Sequence, residues 1–87
     1  MLEQIKLSMR ITHNMLDTDI QQNIDSCLLD LGRVGVDSSK DTALLCKACE
    51  LYCKWQYDYQ QKGEQFEMNY NKLRDAMSLC EDYRKEA

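Results

Sequence analysis

The stretch from Asp41 to Tyr59 constrains the fold more than any other part of the chain, because as a helix it is apolar on almost every side. At about 100° per residue, Leu44, Leu45, Ala48, Leu51, Tyr52, Trp55 and Tyr59 fall on one broad face. Cys46, Cys49 and Cys53 form a second stripe beside it. Only Lys47, Glu50, Lys54 and Asp58 are left for water, too narrow a strip for a helix lying on a protein surface. Such a helix has to be wrapped by others. The whole chain has 87 residues, too few to divide into two independent cores, so one domain spanning residues 1–87 is expected.

The wrapping elements are legible from periodicity. Proline is absent, and Gly32, Gly35 and Gly63 stand where the apolar repeat breaks. A short first helix, about Leu2 to Ile11, places Leu2, Ile5 and Met9 on one face and is too short to stand alone. After the polar break at Thr12-His13-Asn14, Asp17 or Thr18 can cap a second helix, and Asp19 in its first turn suits the helix dipole. Leu16, Ile20, Ile24, Cys27, Leu28 and Leu31 repeat along it, with Gly32 as its left-handed stop. Val34 and Val36 of the connector can tuck into the core while Gly35 permits a turn. The central helix starts near its N-cap Asp41 and fades through Gln60-Gln61-Lys62-Gly63. A fourth helix from about Glu64 carries Phe66, Tyr70, Leu73, Met77 and Cys80 on one face and ends among Arg84 and Lys85. The expected fold is all-α, a small bundle of about four helices around a buried central helix.

Composition narrows the function classes. Hydrophobic residues at 44% and charged residues at 30% describe an ordinary globular chain, not a disordered one. No apolar run approaches the roughly 20 residues needed to cross a bilayer, so no membrane association is expected. The opening Met1-Leu2-Glu3-Gln4-Ile5-Lys6 lacks the basic region and apolar core of an export signal, which points to the cytosol. With a net charge of −4 and a pI near 4.8, the chain carries no overall positive field to attract phosphate backbones.

The residues that could carry chemistry read as structural ones. Cys46 and Cys49 form half of a zinc signature, but Cys53 is seven residues beyond Cys46, about 10 Å along a helix axis, and thiolates on one zinc lie within roughly 4 Å of each other. Cys27, Cys80 or His13 could be recruited, yet no second Cys-x2-Cys or His-x3-His supports this. A redox Cys-x2-Cys belongs at a strand-to-helix junction, which an all-helical chain lacks. The five cysteines therefore read as reduced, small hydrophobes of the core. His13, the only histidine, sits in a polar break as a solvated turn residue. Asp17, Asp19, Asp25 and Asp30 are spread along helix two as caps and solvated positions, not as an acid–base pair. No phosphate loop or nucleophile elbow occurs, so neither enzymatic activity nor a cofactor is expected.

Several local signatures run in order along nearly the full length: Leu2-x2-Ile5-Lys6-x2-Met9-Arg10-Ile11-Thr12, Leu16-Asp17-x2-Ile20, Asp30-Leu31-Gly32-x2-Gly35-Val36, Leu51-Tyr52-Cys53-Lys54 and Tyr70-x2-Leu73-x3-Met77. In this order and chain size the sequence resembles the small head-tail connector, or adaptor, proteins of long-tailed bacteriophages, often labelled DNA packaging proteins. The resemblance implies a structural subunit that assembles in the host cytoplasm and ends in the virion neck. There it would form a homo-oligomeric ring beneath the portal protein, joining capsid to tail through a tail-completion or stopper protein. Genomic DNA would pass through the channel without sequence-specific binding. A ring of roughly a dozen chains at −4 each would carry about −48, a field that keeps DNA sliding instead of sticking.

Ring contacts are head-to-tail and need two different patches on each subunit. The apolar or aromatic residues off the core stripes are the candidates: Leu29 on helix two, Tyr57 on helix three, Met68 and Leu79 on helix four. A small helical regulator binding DNA or a partner protein is the alternative, but the nearest basic grouping, Lys72 and Arg74, is interrupted by acids. The sequence departs from the connector pattern at Cys46 and Cys49, where Ala or other small residues are expected. A metal or thiol-redox module built on that pair is the third reading. The core reading of the thiols is tested by elemental analysis of protein purified without chelator: no stoichiometric zinc is expected, and its presence would overturn the assignment.

Overall fold

The computed structural model describes residues 1–37 and 43–80. Four helices follow one another along them: α1 (Leu2–Ser8), α2 (Asp17–Arg33), α3 (Ala43–Gln56) and α4 (Gly63–Leu79), with a 3-10 turn at Tyr59–Gln61 between the last two. α3 is the hub, touching each of the other helices. Its broadest contact is with α4 and the next with α2, while α1 lies across both α2 and α3. The described chain is elongated, 40 × 24 × 18 Å. Among the described residues no helix is long and apolar enough to cross a membrane.

The core takes Ile5 and Met9 from α1 and its end, and Ile20, Ile24, Cys27 and Leu31 from α2. Val36 follows from the connector, Leu45, Ala48, Cys49, Leu51 and Cys53 from α3, and Tyr70 and Met77 from α4. Two expectations about α3 need correction. Its deepest face runs through Ala48, Cys49 and Cys53, each with no exposed surface, whereas Tyr52, Trp55 and Tyr59 are only partly buried and Leu44 is exposed. Small residues occupy the closest helix approaches and large rings are left to the rim, where their size prevents complete cover. The rings then pack on one another: Tyr52 meets Trp55 and Tyr70 edge-on at centroid distances of 5.5 and 5.3 Å. Nor is the polar strip fully solvated. Glu50 pairs with Lys47 at 2.9 Å and Lys54 at 3.6 Å, and the Lys54 ammonium lies over the rings of Tyr59 and Phe66.

The helix ends also differ from expectation. α1 stops at Ser8, three residues early, because the backbone turns left-handed at Arg10 (φ 58°). α2 is entered through Leu16 with no side-chain cap, because the Asp17 carboxylate is turned instead to the ammonium of Lys6 at 2.7 Å. Gly32 is not the left-handed stop but part of α2, which continues through Arg33. Gly35 takes that role at φ 91°. The Gly35 N–H donates to the Gly32 carbonyl at 3.0 Å and the Val36 N–H to the Leu31 carbonyl at 2.9 Å, the paired bonds of a Schellman cap. Val36 and Leu31, both fully buried, supply its apolar contact. α3 ends at Gln56, earlier than Tyr59, and α4 ends at Leu79 with Cys80 extended. The cap at Asp41 and the cations Arg84 and Lys85 lie outside the described residues.

Between α3 and α4 the chain reverses over six residues, with Asp58 (φ 48°), Gln60 (φ 54°) and Gln61 (φ 60°) all left-handed. Each costs on the order of 1 kcal/mol for a residue other than glycine. The reversal is held by the Asp58 carboxylate, which accepts the Gly63 N–H at 2.8 Å. A Cβ on Gly63 would come within 2.5 Å of that carboxylate oxygen, so glycine makes the cap possible.

The two turns differ in what they ask of a side chain. At Gly35 a Cβ meets nothing within 4 Å, so Gly35→Ala should destabilise by about 1 to 2 kcal/mol through backbone conformation alone. Gly35→Asn, which tolerates the left-handed region, should lose clearly less. Urea unfolding of the two variants checks this; equal losses would mean that steric fit, not φ, governs the position.

Candidate interaction surface

A chain with no candidate catalytic pair offers its surface, and the apolar side chains that escape the core mark where that surface is unusual. On α2, Leu29 is 76% exposed, on the helix face turned away from Ile24, Cys27 and Leu31. On α4, Met68 is 52% and Leu79 83% exposed. These two are eleven residues apart, three helical turns, so they share one face about 16 Å long, with the charged Lys72 and Asp75 between them. Tyr57 is placed differently from the other three. Its ring packs partly against the core and its hydroxyl donates to the carboxylate of Asp19 on α2. Burial first, and then the Asp19 carboxylate, push its phenol above the ordinary range. The four residues thus do not form one patch: Met68 and Leu79 belong together on α4, and Leu29 lies on α2.

Sequence reasoning missed further exposed apolar residues. Leu7, 76% exposed, points away from the Ile5 face of α1, a direction that its spacing could have revealed. Met15, 88% exposed, lies in the irregular segment before α2, where periodicity gives no signal. Near the end of α4 a shallow groove of about 220 Å³ is lined by Leu44, Leu73, Ala76, Met77 and Cys80. It opens at the C-terminal end of α4, where that helix meets Leu44 of α3.

A polar network ties the helices beneath this surface. Asp30 of α2 accepts from the Tyr70 hydroxyl at 2.7 Å, from Arg74 at 3.3 Å and from Arg33 at 2.7 Å. Burial acts to raise the Asp30 carboxyl, but the donors Tyr70, Arg33 and Arg74 outweigh it and hold the group below its ordinary value of 3.8. Burial and the facing Asp30 push the Tyr70 phenol well above the usual range. The Cys27 thiol donates to the same hydroxyl at 3.8 Å. Arg74, bound to both Asp30 and Asp75, is committed within the fold and is no free phosphate contact. Neither Asp30 nor Lys6, a lysine only 4% exposed, announces its burial in the sequence, because their partners are distant along the chain or sit in a polar break.

Three of the five cysteines follow the core reading in their placement. Cys27, Cys49 and Cys53 are buried, Cys46 and Cys80 are half-buried, and none of the five is in a disulfide. Contact with Cys27, and then burial, push the Cys49 thiol far up, while burial raises Cys53 to about 12. Such thiols stay protonated, the opposite of what metal ligation or nucleophilic attack requires. Among the described residues no group of three His, Cys, Asp or Glu is placed to hold a metal ion. His13 is exposed, its ring nitrogen accepting the Met15 N–H at 3.3 Å.

The sequence profile of a family described as phage connector protein matches residues 1–84. No curated protein and no solved structure matches the chain. With 84 of 87 residues covered, the chain belongs to the phage connector family, a structural class and not an enzymatic one.

The Asp30 network has a pH signature. A carboxyl whose value is lowered on folding adds stability above its unfolded value, and that stability is lost as pH falls from about 4 through the lower folded value. Asp30→Asn should therefore flatten the acid limb of the stability curve and cost about 1.5 to 3 kcal/mol at neutral pH, the range for hydrogen bonds to a charged group. Glu50, lowered by its lysines against the opposing effect of burial, should retain part of the acid sensitivity. Urea unfolding between neutral pH and pH 2 checks both; an unaltered acid limb would remove Asp30 from the account.

Proposed function

We propose that this protein is a head-tail connector subunit, acting as one domain, that forms a closed homo-oligomeric ring beneath the portal of a filled capsid. The match to the connector family over nearly the whole chain carries the reading. Exposed apolar positions on two separate helices support it, because a head-to-tail ring needs two unlike patches per subunit. In this reading Met68 and Leu79, with the groove behind them, form one patch, and Leu29 anchors the other. Tyr57 lies where α3 meets the start of α2 and contributes its ring edge.

The subunit joins the portal to a tail-completion or stopper protein and lets the genome pass through an acidic conduit without reading its sequence. It has no catalytic role, assembles in the host cytoplasm and resides in the virion neck. A domain this small offers little contact area per neighbour, so each interface is weak alone. A preformed portal ring holds many subunits at high effective concentration, and assembly depends on that template.

Met68→Glu should leave helical content and unfolding midpoint close to the parent protein, since Met68 is half exposed, and should yield filled heads without tails. Image reconstruction of the phage neck is the decisive measurement. A ring of density for this chain directly below the portal is expected; density elsewhere would defeat the proposal.

A further inference from the structure

The reversal between α3 and α4 is held against the preference of its own backbone. Asp58, Gln60 and Gln61 are all left-handed, yet residues 57–62 contain neither glycine nor proline. Gln60, Gln61 and Lys62 are good helix formers, and Gly63 already lies inside α4, so a straight path from α3 into α4 is open to this segment. The reversal rests on short-range bonds: the Gly63 N–H to the Asp58 carboxylate, and the Gln61 and Lys62 N–H groups to the carbonyls of Asp58 and Tyr59.

What keeps α4 folded back lies elsewhere. Tyr70 and Arg74 bind Asp30 on α2, and the Tyr70 ring packs on Tyr52 and Trp55 of α3. None of these contacts depends on α4 coming from the same chain as α2 and α3. A second copy can supply them unchanged, and the left-handed residues then relax.

We propose that residues 57–62 are a strained hinge through which two copies of this chain exchange α4. Each α4 seats on α2 and α3 of the other copy, and the hinge straightens. The contacts of α4 with α2 and α3 are remade across the pair, so the balance between monomer and exchanged dimer is set by the hinge strain released against the hinge's own bonds, such as Gly63 to Asp58, and the freedom lost on association. The exchange concerns two copies in solution and stands apart from the ring reading.

The test begins with an equimolar mixture of isotope-labelled and unlabelled protein, held at high concentration in mild denaturant and returned to native buffer. Size-exclusion chromatography with light scattering should resolve a dimer. Isotope-filtered NMR of that dimer should show contacts between Tyr52 of one chain and Tyr70 of the other, rings whose centroids lie 5.3 Å apart. In the double variant Gln60→Gly/Gln61→Gly the left-handed backbone costs nothing and a straightened hinge is disfavoured, so dimer formation should fall by at least about tenfold while the monomer stays folded. No dimer, a dimer in which Tyr52 and Tyr70 meet only within one chain, or a glycine variant that dimerises as well as the parent would overturn the proposal.

Discussion

Burying α3 is the constraint on which the rest of the structure depends. A helix with Ala48, Cys49 and Cys53 at its deepest positions can let its neighbours come close, because none of these side chains holds them off. Three helices must then be found within a short chain to cover it, and this sets the size of each. α1, at seven residues, could not persist on its own and exists because Ile5 and Met9 are seated in the shared core. Its ammonium at Lys6, nearly sealed from solvent, pairs with Asp17 and donates a further bond to the Asn14 side-chain oxygen at 3.1 Å, so the short helix is pinned to the start of α2 by charge as well as by packing.

Polar clamps of this kind do a different job from the core. A buried or half-buried ion pair adds little net stability, since desolvation offsets the attraction, but it penalises arrangements in which the partners separate. Lys6 with Asp17 sets how α1 meets α2, and Asp30 with Tyr70 and Arg74 sets how α2 meets α4. For a protein of a structural class, whose work is to present surfaces in a fixed relation, angular definition of the helices matters more than an extra increment of stability.

Much of this was legible in the sequence. The 3.6-residue repeats of Ile20, Ile24, Cys27 and Leu31, and the all-round apolar character of α3, announced the helices, their order and the hub. The ordered signatures along the chain pointed to the family. What escaped had physical reasons. The choice between Gly32 and Gly35 as the helix stop turns on whether Val36 can reach Leu31, a tertiary fact. Lys6 and Asp30 are charged residues at positions that patterning assigns to solvent, and only the fold brings their partners near. The rotation of α3 that seats the thiols and lifts Trp55 to the rim depends on side-chain volume, which a hydrophobic pattern does not weigh. Of the surface, Leu29, Met68 and Leu79 could be picked out because they fall off regular stripes, whereas Met15, in an irregular segment, could not.

The placement of the cysteines gives this chain built-in reporters of its own breathing. Cys46 and Cys80 are half-buried, within partial reach of a thiol reagent in the folded molecule, whereas Cys27, Cys49 and Cys53 are sealed at the contacts between α2, α3 and α4. A modifying reagent therefore reaches the first pair by local fluctuation and the other three only when helices part, so labelling rates resolve the molecule into layers of opening free energy. Each helix contact around α3 can in this way be followed in the natural sequence, with no added probe.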